Sequence, residues 1–453
     1  MLSWDAQQVA RAAGAQLLSS PFAGASGPER VTIDSRDAGP GALFVGLPGE
    51  RTHGGAFADQ ALQAGAWGVL TGPEYAGAAT TSEPGVRMAA EDPLGALQRL
   101  ATAWRRHLNA AVIGVTGSTG KTSTKDLLLA VLSTQRMTVA SRSNFNTEIG
   151  LPLEILAAPG GTQCLVLEMG MRGPGQIAEL AAIAEPDVGV IVSVGPVHLE
   201  SLGTLSAIVA AKAELIAGLE PGATAVLPAD EPLLAPYRRE DLTTLTFGDG
   251  GDVRLAGADD EHVEIDLAGK RIELEVNFTQ AHLRRNLLAA AAAAHAVGVT
   301  PRGRIELVLS PGRGQRQQLP GGVLLIDDCY NANSMSMRAA LDDLDVTAKQ
   351  RPGSRRVAVL GDMLELGPDA REFHAQIGEY ATGRADVLVT VGPLAEAIAS
   401  RYRGGEHHHA ADSTEAAELV RAVMQPDDIV LVKASRGVAL ERVTSALTAG
   451  APA

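Results

Sequence analysis

The chain has 453 residues, of which 45% are apolar, 20% charged and 3% aromatic, and a formal net charge of −15. That is an ordinary globular balance in a chain long enough for roughly two to four domains. The acidity speaks against nucleic acid as a partner, since duplex binding needs a basic face to displace counterions, and no apolar run approaches the roughly 18 residues of a membrane span.

The opening MLSWDAQQVARAAG has neither a basic leader nor a long apolar stretch, so no secretory signal is expected. Cys164 and Cys329 stand in or beside apolar runs and read as reduced residues of buried strands, which makes the cytoplasm the expected location. Up to about residue 106, short strands are predicted at 31–33, 42–45 and 67–70, with helices at 56–64 and 93–107. Strands at 112–116, 164–168, 188–194 and 224–227 then alternate with helical patterns, which implies a mostly parallel sheet covered on both faces. Residues 253–276 change to short alternating runs, expected as a small antiparallel addition, and an alanine-rich helix over 283–296 closes the unit. From about 309 the alternation restarts, with strands at 323–326, 357–360, 387–391 and 429–432. The expected class is α/β in three domains: a small α/β unit at 1–106, a central mostly parallel sheet at 107–308, and a Rossmann-like unit at 309–453. The last lacks a GxGxxG after its first strand, so a dinucleotide site is not indicated.

The most informative segment is 114–125, GVTGSTGKTSTK, between a predicted strand and a helix start. Gly117, Ser118, Thr119 and Gly120 can turn backbone N–H groups toward a phosphate chain, and the helix N-terminus adds its partial positive charge. Lys121 can reach the terminal phosphates, the Thr122 hydroxyl suits magnesium, and Ser123 follows in the same turn. The first glycine, Gly114, lies one residue earlier than in a strict P-loop. A nucleoside triphosphate is the expected ligand, and the central sheet is of P-loop type.

Glu168 ends a hydrophobic strand at the rim where ligands bind in open α/β sheets, a place for a magnesium carboxylate or for a plain surface acid. His198 follows another strand and reads equally as ligand or structural residue, while Lys212 on its helix reads by itself as a solvated lysine. Adjacent side chains of His407, His408 and His409 point in different directions without partner spacing, so a solvated loop or strand edge is expected there rather than a metal site.

Together these residues resemble the Mur ligases, ATP-dependent amide-forming enzymes of peptidoglycan precursor synthesis, over essentially the full length. The resemblance implies ATP, two Mg²⁺ ions held with Thr122, Glu168 and His198, and a CO₂-derived carbamate on Lys212. It makes Lys121, His198 and Lys212 the catalytic set. Within the family, segments 328–333 (DCYNAN, then Ser334 in place of a proline), 359–367 (VLGDMLELG), 143–150 (SNFNTEIG) and 433–436 (KASR) are similar to the branch that adds D-alanyl-D-alanine to UDP-N-acetylmuramoyl-tripeptide. The DNPR signature of the diaminopimelate-adding branch is absent.

Carried over residue by residue, Asn286, Arg313, Tyr330 and Asn331 join the ATP site; Asn286 belongs to a HNxxN-like stretch that begins at His282 and has lost its inner asparagine to Leu283. Asn144, Asn146, Thr147, Asp328, Asn333, Ser435 and Arg436 are assigned to substrate, and Asp34, Ser35 and Arg36 in TIDSR to the uridine diphosphate end. The implied partners are small molecules acting on a monomer whose outer domains close about a hinge near 307–312. Two rivals are another ligase of the superfamily, such as one acting on folate, and a nucleotide-controlled regulator that would not need Glu168, His198 and Lys212 together.

Overall fold

The computed structural model describes residues 4–20, 27–77, 85–142 and 145–449, and three sheets carry their architecture. The first has the order Gln16–Ser19, Val86–Ala89, Gly68–Thr71, Ala42–Val45, Arg30–Thr32, parallel except at its first pair. The sequence pattern marks the last three strands and misses the first two. Val86–Ala89 hides its character because it carries Arg87, which is buried and satisfied by the Asp59 carboxylate at 2.7 Å and the Ala76 carbonyl at 3.1 Å.

Helix Pro93–Leu108 leaves this sheet. Asp92 caps it by accepting the Gly95 N–H, proline occupies its first turn, and Asn109 ends it in the left-handed conformation. Its apolar face, from Ala96 through Leu100 to Trp104, belongs to one continuous core with Leu43 and Leu70 of the first sheet and Leu151 and Leu165 of the second unit. Trp104 is fully buried, donates its Nε1–H to the Ala158 carbonyl at 3.0 Å, and meets Trp4 edge-on at 5.4 Å.

The second sheet runs from Gly303–Ile305 through Lys270–Val276, His262–Leu267, Val253–Ala258, Thr243–Phe247, Thr224–Pro228, Val188–Ile191, Ala111–Thr116 and Cys164–Glu168 to Thr138–Ala140. The predicted antiparallel addition is the pairing of Val253–Ala258, His262–Leu267 and Lys270–Val276. Helix Ala281–Ala296 buries Ala289 to Ala294 in succession and packs along helix Lys121–Ser133, where small side chains permit close approach.

The third sheet has the order Gln315–Gln318, Leu324–Asp327, Ile429–Lys433, Arg356–Gly361, Val387–Val391, Glu406–Ala410, antiparallel only at its first pair. The three histidines lie on its edge strand, as the sequence suggests, with His407 and His409 sharing the Thr390 hydroxyl. Among the described residues no helix is long and apolar enough to cross a membrane.

Truncating Trp104 to alanine removes a side chain at the centre of the core that the first and second units share. Urea unfolding of Trp104→Ala should reveal a loss of about 3–5 kcal/mol; a loss below about 1 kcal/mol would mean that the cores are independent there.

Candidate active site

Strand Ala111–Thr116 lies between Cys164–Glu168 on one side and Val188–Ile191 on the other, so the chain reverses its direction of sheet growth at this point. A crevice opens outside the carboxyl ends of such strands. The glycine loop fills it. Gly120 has φ +80°, and a Cβ there would sit 2.8 Å from Asn286 Oδ1 and 2.9 Å from Val192 Cγ1, so conformation and space both require glycine. The strand expected over 188–194 stops at Ile191 because the next residues turn to support this loop. Ser193 accepts the Ser118 N–H on its carbonyl and the Thr119 N–H on its hydroxyl, both at 2.9 Å, and Ser118 Oγ donates to the Gly195 carbonyl at 3.0 Å.

Lys121 begins the helix and donates to the Gly117 carbonyl at 2.8 Å. Burial lowers its pKa, Glu168 opposes that, and Arg313 adds to it. A phosphate chain would supply the counter-charge that the site lacks. Thr122 donates to Glu168 Oε2 and Asn146 Nδ2 donates to Oε1, both at 2.9 Å, which fixes a buried carboxylate in one orientation. His198 sits in the left-handed region at φ +53° with its Nδ1 on the Glu365 carboxylate. Burial lowers its pKa more than Glu365 raises it, which favours the neutral imidazole.

Lys212 corrects the solvated reading of its residue type. It is 1% exposed, on the face of helix Leu205–Ala217 that carries Ile208, Leu215 and Ile216. Burial, then the charge of Lys121, holds its pKa well below the ordinary lysine value. Among the described residues no hydrogen bond or ion pair reaches its amine.

The facing wall comes from the third sheet. Arg313 lies 3.9 Å from the Tyr330 ring centroid, with Arg436 at 5.4 Å from the same ring. Asn333 caps helix Ser334–Lys349; Ser334 is therefore a first-turn residue, a position that favours proline without requiring it. Buried Lys433 donates to Asp328 Oδ2 at 2.6 Å and to the Asn331 carbonyl at 3.0 Å, holding the 328–333 turn. Ser435 accepts the Leu364 N–H at 2.9 Å. A Cβ on Gly195 would fall 1.9 Å from Met335 Sδ, so the third unit sits directly on the support of the phosphate loop.

The resulting cleft holds about 720 Å³. Ser118 to Ser123, Asn146, Thr147, Glu168, His198 and Asn286 line it from one side, and Arg313, Asp328, Tyr330, Asn331, Asn333, Ser435 and Arg436 from the other. Gly117 and Lys212 are not on its walls. Asn144 lies outside the described residues. Asp34, Ser35 and Arg36 are not brought to this cleft; they form a surface turn in which Arg36, 86% exposed, pairs with Asp34. Glu365 and Lys433 line the cleft without having been singled out, although both stand inside motifs that the sequence displays.

A phosphate loop facing a second domain that brings an arginine and an aromatic ring across the cleft is the apparatus of an ATP-using enzyme that works between domains. The family model described as the Mur ligase middle domain matches residues 115–294, "Mur ligase, glutamate ligase domain" matches 312–436, and "Mur ligase family, catalytic domain" matches 29–104. The UDP-N-acetylmuramoyl-tripeptide–D-alanyl-D-alanine ligase of Synechocystis is 38% identical over 431 residues, covering 93% of this chain and 92% of the relative. MurF of Acinetobacter baumannii superposes with a TM-score of 0.85 at 27% identity, over 98% of this chain and 99% of that one. MurF ligase of Thermotoga maritima in complex with ADP gives 0.81 at 31% identity, over 93% and 97%. The chain belongs to the Mur ligase family.

The turn after Gly361 depends on His374. This fully buried ring accepts the Met363 N–H on Nε2 at 2.8 Å and donates from Nδ1 to the Ala370 carbonyl at 2.6 Å. Burial lowers its pKa below 6.5, more than the Ala370 carbonyl and Asp362 raise it. As pH falls through 6.5 the unfolded chain takes up this proton more readily than the folded one, so stability falls. Urea midpoints between pH 7.5 and 5.5 should therefore drop less in His374→Leu than in the wild type; parallel profiles would remove this assignment.

Proposed function

We propose that this chain joins D-alanyl-D-alanine to UDP-N-acetylmuramoyl-tripeptide with hydrolysis of ATP to ADP and phosphate, as the family's cell-wall precursor ligases of that name do. The observation that carries this reading is the match to the Synechocystis ligase over 93% of the chain, which spans both walls of the cleft. In this reading residues 1–106 hold the uridine diphosphate end through Asp34, Ser35 and Arg36, residues 107–308 hold ATP, and residues 309–453 hold the dipeptide and close the nucleotide site. Arg36 suits a diphosphate because its planar fork binds oxygens in pairs.

The tripeptide's terminal carboxylate attacks the γ-phosphorus, ADP departs, and an acyl phosphate results. The dipeptide amine then adds to the acyl carbon and phosphate leaves. The protein's part is positioning and charge: the loop amides and Lys121 cradle the phosphates, Arg313 approaches from the third domain, and docking of the two domains keeps water from the acyl phosphate. Exposed Val308 marks the connection about which the third domain would turn, which ends where buried Gly312, at φ +70°, accepts the Tyr330 N–H.

The donor chemistry fits magnesium. Thr122 and Glu168 are hard oxygen donors already aligned at 2.9 Å, and burial favours the neutral imidazole of His198. Where bound, Mg²⁺ would neutralise charge on the transferring phosphoryl group. Among the described residues no three His, Cys, Asp or Glu side chains cluster to hold a metal. Lys212 supports an answer to that shortage: burial favours its uncharged amine, the form that adds CO₂, and loss of a proton then leaves a carbamate, an anionic oxygen donor. A cytoplasmic site of action fits the nucleotide substrates.

Phosphate release should require ATP, the tripeptide and the dipeptide together, with a pentapeptide product by mass; release that needs neither peptide substrate would favour the regulator reading. Lys121→Ala should lower kcat by about 10²–10³-fold without unfolding. Lys212→Ala should be inactive and partly recover with added short carboxylates, whereas full activity at low bicarbonate would remove the carbamate.

A further inference from the structure

One contact joins the two walls of the cleft through chemistry. The Glu365 carboxylate, from the third domain, meets Nδ1 of His198, from the second, across 167 positions of sequence. The backbone repeats the connection, because the Glu200 N–H donates to the Glu365 carbonyl at 3.2 Å. Gly367, at φ +69°, packs its Cα face against Glu200, where a Cβ would lie 3.4 Å from the Glu200 nitrogen. His198 and Glu365 are both held in the left-handed region, at φ +53° and +63°. Side-chain-bearing residues persist there only where their surroundings impose it, and such residues gather at working sites. The pair contributes little as an ion pair, since the Glu365 side chain is 51% exposed. What a carboxylate does for a ligating imidazole is different: it fixes the tautomer and the ring plane.

We propose that Glu365 is a positioning residue that completes the phosphate site only when the third domain docks. By accepting the Nδ1–H of His198 it leaves Nε2 unprotonated and oriented for a metal–nucleotide complex. With the domains apart, His198 keeps both tautomers and holds the metal less firmly, so phosphoryl transfer waits for docking. The inference rests on His198 being a metal donor, as read above.

The test uses the full chain labelled with ¹⁵N-histidine, its His198 signal identified by its loss in His198→Asn, together with Mn²⁺ affinity in the presence of ADP read by paramagnetic resonance of free Mn²⁺. The wild type should show the Nδ1–H tautomer. Glu365→Leu should show mixed tautomers and bind Mn²⁺ about tenfold or more weakly. Glu365→Gln, whose amide oxygen still accepts, should stay within about threefold of the wild type. Unchanged tautomer and affinity in Glu365→Leu, with affinity lost in His198→Asn, would overturn the role of Glu365 alone. Unchanged affinity in His198→Asn would overturn the metal reading of His198, and this inference with it.

Discussion

The order of three neighbouring strands constrains the rest of this site. Because Ala111–Thr116 has Cys164–Glu168 on one flank and Val188–Ile191 on the other, three loops converge at one edge of the sheet. Each brings a different kind of group: a glycine turn with Lys121, a carboxylate at Glu168, and the segment from Ser193 to His198 that braces the turn. None of these residues is near another in sequence. Their meeting is a property of the parallel sheet, whose crossovers place all strand ends of one polarity on one side.

The same convergence creates an electrostatic problem. Lys121 and Lys212 are both desolvated and repel each other, while Glu168 is the carboxylate that offsets Lys121. A protein interior tolerates such an excess of positive charge only by discharging one amine or by importing anions. In the proposed reaction both remedies would serve. There the triphosphate would arrive as the anion that Lys121 lacks, while burial pushes the Lys212 amine toward its uncharged form in a place that solvent barely reaches.

The phosphate loop was legible because its chemistry is local: glycine, lysine and threonine must follow one another within a single turn. Strand alternation in the second and third units was legible for a similar reason, since parallel strands buried on both faces leave long apolar runs. What stayed hidden is non-local or compensated. Lys212 lies in step with Ile208, Leu215 and Ile216, a helical period that placed it inside, yet its residue type argues for solvent. Val86–Ala89 is masked by an arginine whose partner is 28 residues away. Glu365 stands in a visible motif, but nothing in that motif indicates a histidine of another domain. The family resemblance implies roles that local pattern does not, and the Asp34–Arg36 turn, an ordinary surface turn by its own geometry, is the plainest case.

The continuous core around Trp104 has a consequence for selection among substrates. It fastens the first unit to the second through Leu43, Leu70, Leu151 and Leu165, so these two units cannot slide apart without exposing it. In the proposed reading, a molecule anchored at the Asp34–Arg36 turn would be measured against a fixed span before its far end meets the phosphate loop. A precursor with too short a peptide stem would then fall short of that mark, and a longer one would overshoot it. On that reading the hydrophobic weld would act as a gauge, sorting intermediates of a stepwise assembly by length, with no need to inspect each residue along the way.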